Sequence, residues 1–111
     1  MPTELGQLIE LEDLTLTSNQ LTGTIPSELG NCGKLRRLLL NTNFLQGTIP
    51  TELGQKGLET IDLETNYLMP PMPSNLCHLR LNGTLEVLSA DFCGEGDEVP
   101  NREDCLHLCR E

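Results

Sequence analysis

Three stretches of this chain repeat one another, and that repetition restricts the fold more than any other feature. The stretch LEDLTLTSNQLTGTIPSELGNCGK (residues 11–34) aligns with LRRLLLNTNFLQGTIPTELGQKG (35–57) and with LETIDLETNYLMPPMPSNLC, which begins at Leu58. The anchors keep step: Pro2, Pro26, Pro50 and Pro73 are 24, 24 and 23 residues apart, Gly6, Gly30 and Gly54 are 24 and 24 apart, and Asn19, Asn43 and Asn66 are 24 and 23 apart. A period of this length marks one supersecondary unit that cannot bury its apolar face alone and must stack on copies of itself. Aromatic residues are too few for an ordinary compact core, with only Phe44, Phe92 and Tyr67 and no Trp, so the core is expected to be built from Leu.

Each unit reads as one coil. Leu-x-x-Leu-x-Leu opens it, as Leu11, Leu14, Leu16, then Leu35, Leu38, Leu40, then Leu58, Ile61, Leu63, and a degraded Leu85, Leu88, Ala90. The last two apolar positions of each set lie two apart and share one face of a short strand. Stacked coils then make a parallel sheet with strands about 4.8 Å apart. The Asn that follows stands where the chain turns away, and a buried amide there must satisfy main-chain groups of neighbouring coils, so Asn19, Asn43 and Asn66 are expected to form a structural ladder. Leu21, Ile25 and Leu29 point inward along the return path, where Gly23 supports a turn, Pro26 restricts the chain and Gly30 ends a short helical piece.

These residues resemble the plant-type leucine-rich repeat family, whose pattern Leu-x-x-Leu-x-Leu-x-x-Asn-x-Leu-x-Gly-x-Ile-Pro-x-x-Leu-Gly runs almost unbroken through residues 11–30 and 35–54. The resemblance covers roughly residues 1–93. It implies an α/β right-handed solenoid, with short parallel strands on the concave side and turns and short 3-10 or helical pieces on the convex side. It also implies a ligand-recognition role of the kind found in the outer part of receptor-like proteins. The expected organisation is a half repeat at 1–10, repeats at 11–34, 35–57 and 58–84, a degraded repeat at 85–93, and an acidic Cys-bearing cap or tail at 94–111. The segment LNGTLEVLSADFC with its following cysteines is similar to C-terminal caps of repeat proteins from plants and photosynthetic protists. Several positions depart from the pattern. MPPMP stands in repeat 3 where GTIP is usual, and the insert HLRLNGT precedes Leu85. An inward Leu is missing near Gln55, whereas Cys32, and Leu8 before it, take that inward place. The opening MPTELGQL matches the second half of a repeat, with Met1 at the Ile position. The chain is therefore expected to be the C-terminal part of a longer repeat protein, with further repeats upstream.

Seventeen acidic against seven basic residues give a net charge of -10. That balance argues against nucleic acid as a partner and against binding to an anionic membrane surface. No apolar run approaches a membrane span, so membrane insertion by this chain is not expected. Outward strand positions fall into columns across the coils: Asp13, Arg37, Thr60, Val87; then Thr15, Leu39, Asp62, Ser89; then Thr17, Asn41, Glu64, Asp91. Leu39 is an apolar residue at an outward position, and Asp62, Glu64 and Asp91 place like charges on adjacent coils, whose repulsion a basic partner relieves. The candidate ligand-binding patch is thus Arg37, Leu39, Asn41, Asp62, Glu64 and Asp91, suited to a protein or peptide with a cationic segment; the same residues would also serve simply to solvate a surface. A structural or scaffold solenoid that self-associates through its open end is the alternative.

Cys32 reads as a core substitute for Leu. Cys77, Cys93, Cys105 and Cys109 are candidate disulfide partners, which implies an oxidising compartment, and four cysteines allow three pairings. Cys93 also falls at the ladder position as a structural thiol, and Cys105-x-His107-x-Cys109 is dense in metal-binding types but lacks the paired Cys-x₂₋₄-Cys spacing. Neither metal nor cofactor is therefore expected. Asn82-Gly83-Thr84 is a glycosylation triplet, so Asn82 is a candidate acceptor, and with the cysteines it indicates an extracellular or cell-surface origin. The tail segment GEGDEVPNRED reads as an exposed acidic loop. With no nucleophile and base in a recognisable pattern and no phosphate-binding Gly loop, enzyme activity is not expected.

Overall fold

The computed structural model describes residues 1–55, 57–94 and 109. Four three-residue strands, β1 (Asp13–Thr15), β2 (Arg37–Leu39), β4 (Thr60–Asp62) and β6 (Val87–Ser89), form one parallel sheet in the order β1-β2-β4-β6. The pairing is Asp13 with Arg37, Thr60 and Val87, and Thr15 with Leu39, Asp62 and Ser89, the same columns that the repeat spacing predicts. The register follows from the apolar pattern: a slip by one residue would turn Leu38, Ile61 and Leu88, all 0% exposed, out of the core.

The core is a stack of Leu rows. Leu35, Leu58 and Leu85 form one, Leu40, Leu63 and Ala90 another, and Leu29, Leu53 and Leu76 a third on the convex side; all are buried. Burying each Leu contributes roughly 1.5–3 kcal/mol, shared between neighbouring coils. Leu14, Leu16 and Leu21 in the first coil are only half-buried, and Leu8 is 49% exposed although Cys32, its equivalent one coil later, is fully buried. The difference is positional, since Cys32 has the Thr3–Gln7 layer on its outer side and its Sγ donates to the Leu5 carbonyl. At the place where an inward Leu is missing, Gln55 is half-buried and donates from Nε2 to the carbonyls of Gly30 (2.7 Å) and Leu29 (3.3 Å). The polar side chain is accommodated because it closes off carbonyls that end the helical turn of the coil before it.

The convex side is made of 3-10 turns at Thr3–Gln7, Ser27–Asn31 and Thr51–Leu53, each entered from an extended Pro. These turns stack closely at glycines: a Cβ on Gly30 would lie 2.7 Å from the backbone oxygen and the Cβ of Glu52. In the third coil the inserted residues lengthen the turn into a helix, α1 (Ser74–Leu81). A second feature is absent from the sequence expectation. The segments β3 (Gln46–Thr48) and β5 (Tyr67–Met69) pair in parallel as a separate two-stranded sheet along the flank where the chain leaves the concave face. Among the described residues no helix is long and apolar enough to cross a membrane.

Candidate ligand-binding face

The ladder asparagines do the work that frees the concave face for other residues. Asn43 is buried; its Nδ2 donates to the carbonyls of Leu16 and Leu40, and its Oδ1 accepts from the Leu21 N–H. Asn66 repeats the pattern one coil on, donating to Leu40 and Leu63 and accepting from Leu45. Asn19 is exposed and, among the described residues, bonds only within its own coil, to the carbonyls of Leu16 and Thr17. Immediately before each ladder Asn, Ser18, Thr42 and Thr65 hold positive φ values of 58°, 62° and 58°. This left-handed corner ends each strand sharply, and it is strained for a β-branched Thr.

The six candidate residues of the concave face meet different fates. Arg37 is exposed on β2 between Asp13 and Thr60. Leu39 is half-buried between Thr15 and Asp62. Asn41 is tied to the previous coil, accepting on Oδ1 from Thr17 Oγ1 at 2.9 Å. Asp62 accepts from the Glu64 N–H at 3.2 Å, and the Glu64 carbonyl accepts from Thr42 at 2.9 Å. Asp91 behaves unlike its neighbours. Its two carboxylate oxygens accept from the Thr65 and Asn66 N–H groups at 2.8 and 2.9 Å, where the corresponding amides one coil earlier, Thr42 and Asn43, donate to the Glu64 and Thr65 carbonyls. The carboxylate thus takes the place of a main-chain edge while keeping its charge at the rim of the face.

Sequence columns overlooked the position that follows each ladder Asn. There the structure stacks Phe44 on Tyr67, with ring centroids 6.2 Å apart and planes within 19°. Both rings are largely exposed, at 48% and 66%. With Asn19, Thr42, Thr65 and Asp91 they bound an open cleft of about 380 Å³ beside the concave strands. The signal was present in the repeat, as Gln20, Phe44 and Tyr67 occupy equivalent positions. An exposed aromatic pair beside a carboxylate offers an apolar and π surface to a cationic or planar side chain.

On the charged flank where the chain enters the strands, Arg36 joins three coils, reaching Glu59 at 3.0 Å and Glu12 at 3.6 Å. Its guanidinium is held further toward the charged form by its hydrogen bond with Glu59 and the Glu59 charge, with Glu12 adding to both. Cys77 of α1 is bonded to Cys109, with Cα atoms 5.0 Å apart. Cys32 is a buried free thiol, and burial pushes its pKa up. The main chain of Cys93 lies in the final 3-10 turn, Asp91–Gly94, and Cys105, His107 and the acidic tail lie outside the described residues. Asn82 follows α1 and is exposed. Among the described residues no group of metal-ligating side chains is assembled.

Comparison with known proteins agrees with this architecture. The Leucine Rich Repeat family model matches residues 10–32, and no curated protein matches the sequence. Among solved structures, a chain from the complex of the Arabidopsis receptor kinase HAESA with the peptide hormone IDA and the co-receptor SERK1 is 37% identical, with a TM-score of 0.73, over 84% of this chain and 16% of that one. The LRR ectodomain of the Arabidopsis thaliana receptor kinase SOBIR1 is 34% identical, with a TM-score of 0.72, over 80% of this chain and 47% of that one. A chain of the BIR3–SERK2 complex from Arabidopsis thaliana is 33% identical, with a TM-score of 0.65, over 70% and 43% respectively. The chain therefore spans less than half the length of each of these structures. With its repeat motif, parallel concave sheet, Asn bridges and these neighbours, the chain is a leucine-rich repeat solenoid similar to those of plant receptor ectodomains.

Proposed function

We propose that this solenoid is an extracellular recognition module, without catalytic activity of its own, that binds a protein or peptide through a cationic segment laid across its concave face. The observation that carries this reading is the sheet register, which sets apolar Leu39 directly beside Asp62, with Arg37 exposed on one side and the Asp91 carboxylate at the far rim. A half-buried apolar contact surrounded by charge fits the pattern of a small interface centre with a polar rim. The peptide hormone bound in the HAESA complex supports the same use for a related solenoid. The test uses an array of synthetic peptides graded from basic to acidic, read at low and moderate salt. Basic peptides should be retained with affinity that falls as salt rises, and Leu39→Asp and Asp62→Lys should each weaken retention at least about tenfold while circular dichroism stays unchanged. Equal retention of basic and acidic peptides, or variants that bind like the parent, would remove the patch.

A further inference from the structure

We propose that Asn82 is the acceptor of an N-linked oligosaccharide, carried on the flank of the solenoid away from its aromatic cleft. Asn82-Gly83-Thr84 is the only Asn-x-Ser/Thr triplet in the chain, and the structure gives it the geometry that the chemistry requires. Asn82 caps α1, with its main-chain N–H held by the carbonyls of Arg80 and His78, while its side chain is exposed. The Thr84 N–H donates to Asn82 Oδ1 at 3.0 Å. This local turn brings Thr84 back toward the amide and, among the described residues, leaves Asn82 Nδ2 with no acceptor. Gly83 has a φ of 89°, and a Cβ placed on it would meet nothing within 4 Å, so the loop stands clear for an enzyme to grip. Thr84 is itself exposed.

An independent observation lies on the same helix. Cys77, five residues earlier, is oxidised to a disulfide with Cys109, and such a bond belongs to an oxidising compartment, the kind of environment in which N-glycosylation takes place. The placement also fits a working binding face. Asn82 lies in the connection leading into β6, at the strand-entry side, whereas Phe44, Tyr67 and Asp91 lie where strands exit. A glycan there would cover Leu81, which is 52% exposed, and leave the cleft open. In the transfer, Asn82 Nδ2 forms a bond to the anomeric carbon of a lipid-diphosphate-linked oligosaccharide. The bond from that carbon to the diphosphate oxygen breaks, the lipid diphosphate leaves with the electron pair, and one amide proton passes to a base of the transferase.

The experiment expresses the full chain behind a cleavable secretory leader in cultured plant cells and measures intact mass before and after peptide N-glycosidase. Both the secreted and the cell-retained pools are read. The expected result is a mass gain of one oligosaccharide, removed by the glycosidase with conversion of Asn82 to Asp. That gain should be lost in Asn82→Gln and in Thr84→Val and kept in Thr84→Ser. Thr84→Val decides the matter if Asn82→Gln fails to fold. An unmodified Asn82 in both pools, whatever the state of the disulfide, overturns the proposal, as does a mass gain that persists in Asn82→Gln and Thr84→Val.

Discussion

The two regular coils, residues 11–57, and the region that follows them are built to one plan but closed by different means. In the regular coils each turn is satisfied by the next: Ser18 donates to the Asn41 carbonyl, Thr42 to the Glu64 carbonyl, and Asn43 sews two coils together. After β4 the repetition loosens, and side chains take over tasks that the main chain performed before. The Asp91 carboxylate receives the Thr65 and Asn66 amides, an eight-residue α-helix replaces a 3-10 turn, and the Cys77–Cys109 bond holds the far end. The contrast teaches that regular repetition supplies its own hydrogen-bond partners, whereas an irregular end must bring in carboxylates and covalent links to satisfy the same groups.

That contrast can be broken most sharply at the ladder. Asn43→Ala strips partners from Leu16, Leu40 and Leu21 in a buried setting, and should cost on the order of 3–5 kcal/mol in urea unfolding. Exposed Asn19→Ala should cost less than about 1 kcal/mol; equal losses would mean that the bridge between coils is not what stabilises them. Next in size, Cys77→Ser should lower stability by about 2–4 kcal/mol. Reductant should lower the parent by at least as much as the substitution does, and a parent insensitive to reductant would show the clamp to be idle. Asp91→Ala should cost about 1–2 kcal/mol and speed hydrogen exchange at Thr65 and Asn66 more than at Thr42 and Asn43. Uniform acceleration along the chain would contradict a local capping role. The smallest effect runs the other way: Thr42→Asn and Thr65→Asn relieve a left-handed Thr and should each stabilise by roughly 0.5 kcal/mol, by similar amounts, because the two corners share one geometry on either side of the divide.

Much of the frame was legible because apolar spacing constrains it directly. Leu35, Leu38 and Leu40 can be buried together only in one register, and the columns read from their intervals are the observed strand pairs. The flank sheet was hidden, since Gln46-Gly47-Thr48 has no apolar alternation and owes its pairing to the packing of whole coils. Asp91 was legible as an outward charge but not as a cap, because that role depends on which amides remain after the last full coil. The Phe44–Tyr67 stack was within reach of the repeat alignment, yet the strand columns stop short of the turn that carries it.

The disulfide has a mechanical consequence. Each coil touches only its neighbours in the order β1-β2-β4-β6, so tension applied at the two ends of such a stack peels it one layer at a time. Cys77 and Cys109 are 32 residues apart in sequence but covalently joined. A pull from the C-terminal side of Cys109 is therefore passed straight to α1, and everything between the two cysteines, β6 and Asp91 included, is shunted out of the load path. The last strand and its carboxylate cap remain slack while force travels into the third coil, and reduction would make them the first layer to give way.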